Sequence, residues 1–472
     1  MPPPRTQAPR AELLRQLGFF SSTALVISNM IGAGIFATTG IMAGDLGSGK
    51  LILACWGVGA LFALAGALSY SELGINFPSS GGEHVYLTHA YGPEWGFMTG
   101  WVSFFAGFSA PIAAAALAFS DYLGHLAPAV GTSHVIGSGT LTLRIGAAQL
   151  VASSLIAAFT LLNCFGVGRA AKVQNVLTAT KIAVIAGFVI FGFASGNGSW
   201  RHFSEPAVRT STISLPAQFI VSLLWVMFGY SGWNAATYVA EEVRRPERTL
   251  PAALATGTAI VTALYLGLNM VLIYSTPLES LKGEIAVGSL GASNLFGPNI
   301  AGLFSALMAL SIVATVNAEV TIGPRVYYAM AKNRAFFRAA ATVHPRWHTP
   351  VVAIISQGLF AMVMTLTPFP DLVLYIGFSL TLFSVLSVGS VFIFRRSRPG
   401  WQRLRALDFA WPLIPALYIL VGAIMMLYGI FTHPIASLSA LSTVGAGALA
   451  YHFRRERPNP GTDGTFSKGS TS

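Results

Sequence analysis

The chain has 472 residues, of which 54% are hydrophobic and only 10% are charged, and its mean hydropathy is +0.64. Soluble domains carry roughly 25% charged residues. The composition therefore excludes a soluble globular enzyme, a disordered protein and a nucleic-acid binder, despite a net charge of +11. Cys55 and Cys164 both lie in apolar runs, which indicates neither a disulfide framework nor a cysteine-based metal site.

Twelve long apolar runs dominate the sequence. A bilayer core of roughly 30 Å needs about 20 apolar residues per helix, and helices are the usual spanning structure because lipid cannot satisfy backbone polar groups. Counted in chain order as spans one to twelve, the runs lie at residues 19–42, 49–72, 95–123, 145–164, 170–195, 213–240, 251–276, 299–331, 350–367, 371–394, 409–431 and 435–453. The sequence therefore predicts an all-α integral membrane protein with twelve transmembrane helices.

Lysine and arginine are concentrated in alternate loops, and this asymmetry predicts the orientation of the spans. With the N-terminus inside, the inner segments hold 22 of these residues and the outer segments hold 5, while Lys181 lies within span five. We therefore expect a multi-pass protein of the cell inner (plasma) membrane with both termini in the cytoplasm. Residues 1–18 are predicted to form a cytoplasmic N-terminal tail, and residues 454–472 a disordered cytoplasmic tail.

Spans one and six each carry a glycine cluster at their middle. Span one reads IGAG at 31–34, and span six reads FGYSG at 228–232. Two halves of five helices, each beginning with an interrupted helix, would place such clusters at matching positions. The freed N–H groups at a break can bind a carboxylate and the freed carbonyl groups an ammonium group, so the pattern suits an α-amino acid. The alternative is that the glycines serve only close packing between helices.

Seven stretches carry a resemblance to a known family. They are IGAGIF (31–36), YSELG (70–74), SSGGEHVYLTHAYG (79–92), VQNVLTATK (173–181), FGYSGWNAATYVAEEVRRPERTLPAAL (228–254), VNAEVTIGPRVYYAMAKNRAFF (316–337) and HPRWHTPV (344–351). With them the chain resembles the amino acid–polyamine–organocation superfamily of permeases, and most closely its bacterial L-type amino acid transporters. The resemblance implies a LeuT-type fold, with 19–195 as the first five-helix repeat, 213–394 as its inverted copy and 409–453 as two further helices.

The resemblance also implies a substrate site at the two breaks, built from Ile31, Gly32, Ala33, Gly34, Phe228, Gly229 and Ser231. The substrate carboxylate would meet the N–H groups of residues 32–34. Its amino group would meet carbonyl groups near Ile31, Phe228 and Ser231. Phe228 matches an aromatic residue that closes over the substrate, although a core or lipid-facing role is the alternative. Asn317 matches an asparagine of span eight and is an expected gating or coupling residue.

Two ionisable residues lie inside spans, where charge is costly and therefore indicates function. The resemblance implies that Lys181 fills the position of the second sodium ion of sodium-coupled relatives. Transport would then be sodium-independent and driven by exchange or by protons. Glu319 in span eight departs from the family pattern, and we expect it to pair with Lys181, handling a proton or latching the inner gate. The alternatives are that Lys181 only snorkels to the membrane edge and that Glu319 only faces a cytoplasmic cavity.

Further charges lie at the predicted cytoplasmic ends of spans two and six. Glu83 and the cluster Glu241-Glu242-Arg244-Arg245 resemble inner-gate charges of the family. Plain solvated loops are the alternative, because surface ion pairs contribute little. The segment 79–92 is a candidate for a short interfacial helix.

The function predicted from these features is secondary active transport of L-amino acids by alternating access, as an exchanger or a proton symporter. No P-loop, HExxH or GxSxG motif is present, so neither direct ATP drive nor an enzyme is indicated. The nine histidines lie in loops or at span ends, and no metal or other cofactor is expected. Loop 124–144 has no cysteine, so no disulfide-linked accessory subunit is expected. A polyamine or organic-cation transporter is the alternative, but spans one, three and six offer no acidic residue near the breaks.

Overall fold

The protein is largely helical, and its computed structural model describes residues 15, 17–79, 81–136, 142–165, 167–332, 336–347 and 349–455. The predicted tails fall outside these ranges except at 15, 17, 18, 454 and 455. The helices in chain order are α1 (Phe19–Met30), α2 (Ala33–Leu46), α3 (Gly49–Asn76), α4 (Glu83–Tyr91), α5 (Pro93–Val102), α6 (Ala110–Leu126), α7 (Ala147–Cys164), α8 (Val167–Ala194), α9 (Leu215–Tyr230), α10 (Pro246–Ser275), α11 (Leu278–Leu281), α12 (Val287–Phe296), α13 (Pro298–Lys332), α14 (Val351–Met364), α15 (Phe369–Ser397), α16 (Arg405–Asp408), α17 (Leu413–Thr432) and α18 (Pro434–Arg455).

Shorter elements connect these helices within the described ranges. A π-helical segment, Ser103–Ser109, joins α5 to α6 without interrupting the third span. The strands β1 (His134–Ile136) and β2 (Leu143–Ile145) pair antiparallel, with His134 opposite Ile145. The 3-10 helices are Pro128–Gly131, Trp200–Phe203, Ala235–Glu242 and Arg338–Ala341.

The prediction of an all-α membrane protein is confirmed. Among the described residues, ten helical segments are long and apolar enough to cross a bilayer, and α1 with α2 would make an eleventh as one bent span. The predicted ninth span corresponds to α14, which has 14 residues. At 1.5 Å per residue this helix is about 21 Å long, short of a bilayer core. A total of twelve spans therefore stays a prediction.

The first span is broken in its middle. Helix α1 ends at Met30, α2 begins at Ala33, and the two axes meet at 40°. Gly32 between them is extended, so the helical hydrogen-bond ladder stops there. Helix α10 packs along both α1 and α3. Helix α13 contacts α1 and α2 on either side of the break and packs along α6 and α8.

The sixth span is also interrupted near its glycine cluster. Helix α9 ends at Tyr230, and the chain continues through Gly232 into the 3-10 helix Ala235–Glu242. Gly232 has a φ of +95°, which strains any residue with a side chain. A Cβ atom there would also lie 2.7 Å from the carbonyl carbon of Asn29. This glycine is therefore required both by the turn and by the contact with span one.

A buried ion pair joins the C-terminal end of α3 to α15. Glu72 is fully buried and accepts hydrogen bonds from Arg395 Nε at 2.7 Å and Nη2 at 2.6 Å. Its carboxylate also accepts from Trp401 Nε1 at 2.8 Å and from the N–H of Leu404 at 3.0 Å. The two oxygens of Glu72 thus hold the loop after α15 against both helices.

Candidate functional site at two broken helices

The breaks in spans one and six pack against each other at Gly34 and Gly229. A Cβ atom on Gly34 would lie 2.5 Å from the Cα of Gly229 and 3.1 Å from Phe228 Cδ1. No side chain fits between these backbones, so Gly34 serves close packing of spans one and six. Gly232 instead permits the break in span six through its positive φ, whereas Gly32 is in an extended conformation that any residue can adopt. Packing and interruption of the helices are therefore both present, at different glycines.

A small cavity lies where the breaks meet. It is lined by Gly32, Ala33 and Gly34 from span one and by Phe228 and Ser231 from span six, with further contributions from Thr315 and Glu319 of α13. The first N–H groups of α2 have no acceptor within their own helix. They also carry the positive end of the helix dipole. These N–H groups favour an anion, but the cavity, about 10 Å³ in volume, is too small for a carboxylate until the site widens.

The carbonyl groups at the breaks are engaged by donors of the protein. Ser231 donates to Phe228 O through its N–H at 3.1 Å and its Oγ at 2.7 Å. The Tyr265 hydroxyl lies 2.6 Å from Met30 O and 2.9 Å from Gly229 O, and therefore bridges the two broken spans. Tyr265 was missed by the sequence analysis because a tyrosine in an apolar span forms no motif. In this conformation the carbonyls of Met30, Phe228 and Gly229 already have partners.

Lys181 binds directly to the break in span one. Its side chain is fully buried, and Nζ donates to Ile31 O at 2.5 Å and to Thr315 Oγ1 at 3.1 Å. The snorkelling alternative does not describe this geometry, because the amino group lies at the break rather than at a membrane edge. Carbonyl and hydroxyl oxygens are the ligands that hard metal cations prefer, and here they surround an amino group of the protein.

The expected ion pair between Glu319 and Lys181 is not closed in this conformation, although the two groups interact electrostatically. No nitrogen of Lys181 lies within 4.0 Å of the Glu319 carboxylate among the ion pairs of the described chain. The reason is that Thr315, one helical turn before Glu319, receives the amino group instead. Glu319 Oε2 is buried and has no hydrogen-bond partner among the described residues.

Asn317, an expected gating or coupling residue, lines neither of the two cavities. It is two residues from Thr315 and from Glu319, which places it about 200° around the helix from both. Its Oδ1 accepts a hydrogen bond from Asn163 Nδ2 at 3.3 Å, and Asn163 Oδ1 accepts from Thr321 Oγ1 at 2.7 Å. Asn317 therefore joins α13 to α7.

A large cavity of about 830 Å³ leads away from the breaks. Its lining extends from Asn29, Ser231 and Glu319 to Glu83 and Arg325. The last two residues belong to the ends of the spans that the lysine and arginine distribution predicts to be cytoplasmic. The cavity therefore connects the breaks with one end of the helix bundle.

The other end of α2 is closed by direct contacts. The Tyr122 hydroxyl donates to Phe36 O at 2.8 Å and accepts from the N–H of Gly288 at 3.1 Å. The N–H of Gly283 donates to Gly40 O at 3.0 Å. The large cavity thus opens toward one end of the bundle, while these contacts close the other end of α2.

Glu83 lies at the open end and bonds to neutral partners. Its Oε1 accepts from the Tyr70 hydroxyl at 2.7 Å and from Asn234 Nδ2 at 3.1 Å. Burial raises the pKa of Glu83 to about 7, although both hydrogen bonds oppose the shift. The ion pairs within 4.0 Å among the described residues include neither Glu83 nor Glu242. The expected gate ion pairs are therefore not formed while the cavity is open.

Comparison with known proteins places the chain among transporters. A family model described as amino acid permease matches residues 17–447. The serine/threonine exchanger SteT of Bacillus subtilis strain 168 is 30% identical over 451 residues, covering 94% of this chain and 98% of that protein. The human large neutral amino acids transporter small subunit 2 is 27% identical over 442 residues, covering 93% and 80%. The human cystine/glutamate transporter is 28% identical over 448 residues, covering 94% and 86%.

Proposed function

Because the chain belongs to the amino acid permease family of the amino acid–polyamine–organocation superfamily, we propose that it carries L-amino acids across the cytoplasmic membrane by alternating access. It would act as an exchanger or a proton-coupled symporter, without sodium. The family and the relatives are transporters, not enzymes, and amino acids are the common cargo in the relatives' names. One observation carries the proposal: an interrupted span exposes a helix N-terminus in a cavity sealed on one side and open on the other.

The proposed binding mode uses both breaks. The substrate carboxylate binds the N–H groups of Gly32, Ala33 and Gly34, which line the small cavity at the positive end of α2. Phe228 packs over the bound substrate from span six, where it is 6% exposed. The amino group meets carbonyls near Ile31, Phe228 and Ser231 as the site closes; it displaces the Ser231 donors from Phe228 O, while Lys181 stays bound to Ile31 O.

Lys181 supports the proposed independence from sodium. Its amino group already occupies the oxygen atoms of Ile31 and Thr315. A metal cation at this point would have to displace a buried, hydrogen-bonded lysine. Energy would then come from a second amino acid or from a proton.

The proposed arrangement in the membrane follows from charge and cysteine placement. Both termini lie in the cytoplasm of the cell inner membrane, and residues 19–195 and 213–394 form two inverted repeats of five spans. Cys55 and Cys164 are both free and buried. Neither is available to an accessory subunit, so we propose that the chain transports without a disulfide-linked partner.

Uptake into proteoliposomes tests the proposed activity. A panel of radiolabelled L-amino acids and a labelled polyamine are offered to vesicles that are empty or hold the same unlabelled compound, with and without an inward proton gradient. We expect amino acids to enter. Entry only into loaded vesicles identifies an exchanger, and entry into empty vesicles under the gradient identifies a symporter. Uptake of the polyamine alone would contradict the proposal.

Removing the hydroxyl that bridges the two breaks is expected to slow transport. Tyr265→Phe loses the contacts with Met30 O and Gly229 O, and we expect the initial rate of amino acid uptake to fall roughly fivefold, since a hydrogen bond contributes about 1 kcal/mol. Tyr274→Phe is the matched control on the same helix, because the described contacts give its hydroxyl no hydrogen bond. Equal rates for the two variants would show that the bridge has no role.

A further inference from the structure

We propose that Glu319 selects substrates with a positively charged side chain, so that this site favours dibasic over neutral amino acids. The inference rests on the proposed amino acid transport and adds its substrate class. The Glu319 carboxylate belongs to span eight, outside the first, third and sixth spans. The structure brings that carboxylate to the substrate site.

Glu319 is shared by the two cavities. It lines the small cavity at the breaks together with Gly34 and Phe228, and it also lines the large cavity of about 830 Å³. A substrate whose carboxylate lies at the N-terminus of α2 would therefore extend its side chain past Glu319. The volume of the large cavity lies within the range of sites for small molecules, so a long side chain fits.

The Glu319 carboxylate forms no ion pair within 4.0 Å among the described residues, and its electrostatic interaction with Lys181 acts over a longer distance. Its Oε2 is buried and accepts no hydrogen bond from the described residues. Lys181 is held by Ile31 O and Thr315 Oγ1 and lines neither cavity. A buried ionised group is costly unless it is paired. A positively charged ligand would supply the hydrogen-bond donor that Oε2 lacks.

The remaining charges of the large cavity favour cations. Within the described lining, the acidic side chains are Glu83, Glu242 and Glu319, of which Glu83, with a pKa of about 7, is only partly ionised at neutral pH, against the guanidinium of Arg325. Arg325 Nη1 donates to Thr321 O within its own helix at 2.5 Å. The excess of negative charge attracts a positively charged substrate toward the breaks, and Glu319 is the member of the set that lies at both cavities.

Arginine and citrulline form the decisive probe pair, because they have nearly the same shape and differ in charge. Both are used as competitors of labelled amino acid uptake in proteoliposomes, and their half-inhibitory concentrations are compared. For the wild-type protein we expect arginine to inhibit at a concentration at least roughly tenfold lower, since hydrogen bonds to charged groups exceed those between neutral groups. The isosteric Glu319→Gln is expected to bring the two values together, while Glu247→Gln, on an exposed residue outside both cavities, keeps the difference.

Each outcome bears on one proposal. Equal inhibition in the wild-type protein, or an arginine preference that survives Glu319→Gln, would overturn the role of Glu319. A variant that keeps the preference but loses its response to a proton gradient would assign the carboxylate to proton transfer instead. If Glu319→Gln takes up nothing, ligand-induced stabilisation of the purified protein by arginine and by citrulline gives the same comparison. Absence of uptake and of stabilisation by every amino acid would refute the proposed function itself.

Discussion

Lys181→Ala is expected to lower the initial rate of amino acid uptake at least roughly tenfold. The variant loses two hydrogen bonds from a charged donor, which contribute about 1.5–3 kcal/mol each, where about 1.4 kcal/mol is a factor of ten. Ile31 O would keep only the long hydrogen bond from the Thr315 hydroxyl at 3.4 Å, and Thr315 Oγ1 would lose its donor. Because these atoms connect the break in span one to α13, the geometry of the carboxylate site would no longer be fixed.

Lys282→Ala is the control for the Lys181 variant. Lys282 lies between α11 and α12, where it donates to Val208 O and pairs with Glu279 at the surface. We expect its replacement to leave uptake unchanged, since exposed ion pairs contribute little. Uptake by a folded Lys181→Ala variant at the rate of the Lys282→Ala control would show that the buried amino group does not support transport.

Glu72→Ala is expected to destabilise the fold by about 3–5 kcal/mol, the usual cost of breaking a buried ion pair. Arg395 would retain only Asp408, whose carboxylate is 43% exposed. The N–H groups of Trp401 and Leu404 would lose their acceptor. Denaturant unfolding of the purified protein in detergent measures the loss, and Glu72→Gln should show a smaller one because it keeps an acceptor oxygen.

A surface ion pair provides the comparison for Glu72. Arg201 and Glu205 approach to 3.6 Å on side chains that are 87% and 50% exposed. Glu205→Ala should leave the unfolding midpoint unchanged because solvent already screens this pair. Equal midpoints for Glu72→Ala and Glu205→Ala would contradict the buried-pair interpretation.

The helical fold could be predicted from hydropathy alone. Each of the twelve predicted runs overlaps a helix of the structure, because the length of a bilayer core sets the length of an apolar run. The glycine clusters also indicate where the two spans break. At Gly232 the reason is steric, because a side chain there would meet the backbone of Asn29. The helices and their breaks depend on residues that are close together in the sequence, so the sequence alone indicates them.

Side-chain partners across the bundle could not be predicted in the same way. Lys181 and Glu319 were expected to meet because they are opposite charges in neighbouring spans, yet Thr315 lies closer to the amino group. Asn317 and Glu319 are two residues apart and therefore point to different sides of α13. A sequence motif does not show this difference in direction. Tyr265 bridges both breaks from span seven, and only three-dimensional packing brings its hydroxyl there.

The cation requirement of transport tests the proposed role of Lys181 and of the broken spans most directly. The measurement is the initial rate of labelled amino acid uptake into proteoliposomes that hold the unlabelled amino acid, with either sodium or choline as the external cation. We predict equal, substantial rates in both media, because the oxygen atoms at the break are already bound by Lys181. Uptake that occurs only in sodium, or no amino acid uptake in either medium, would contradict this mechanism.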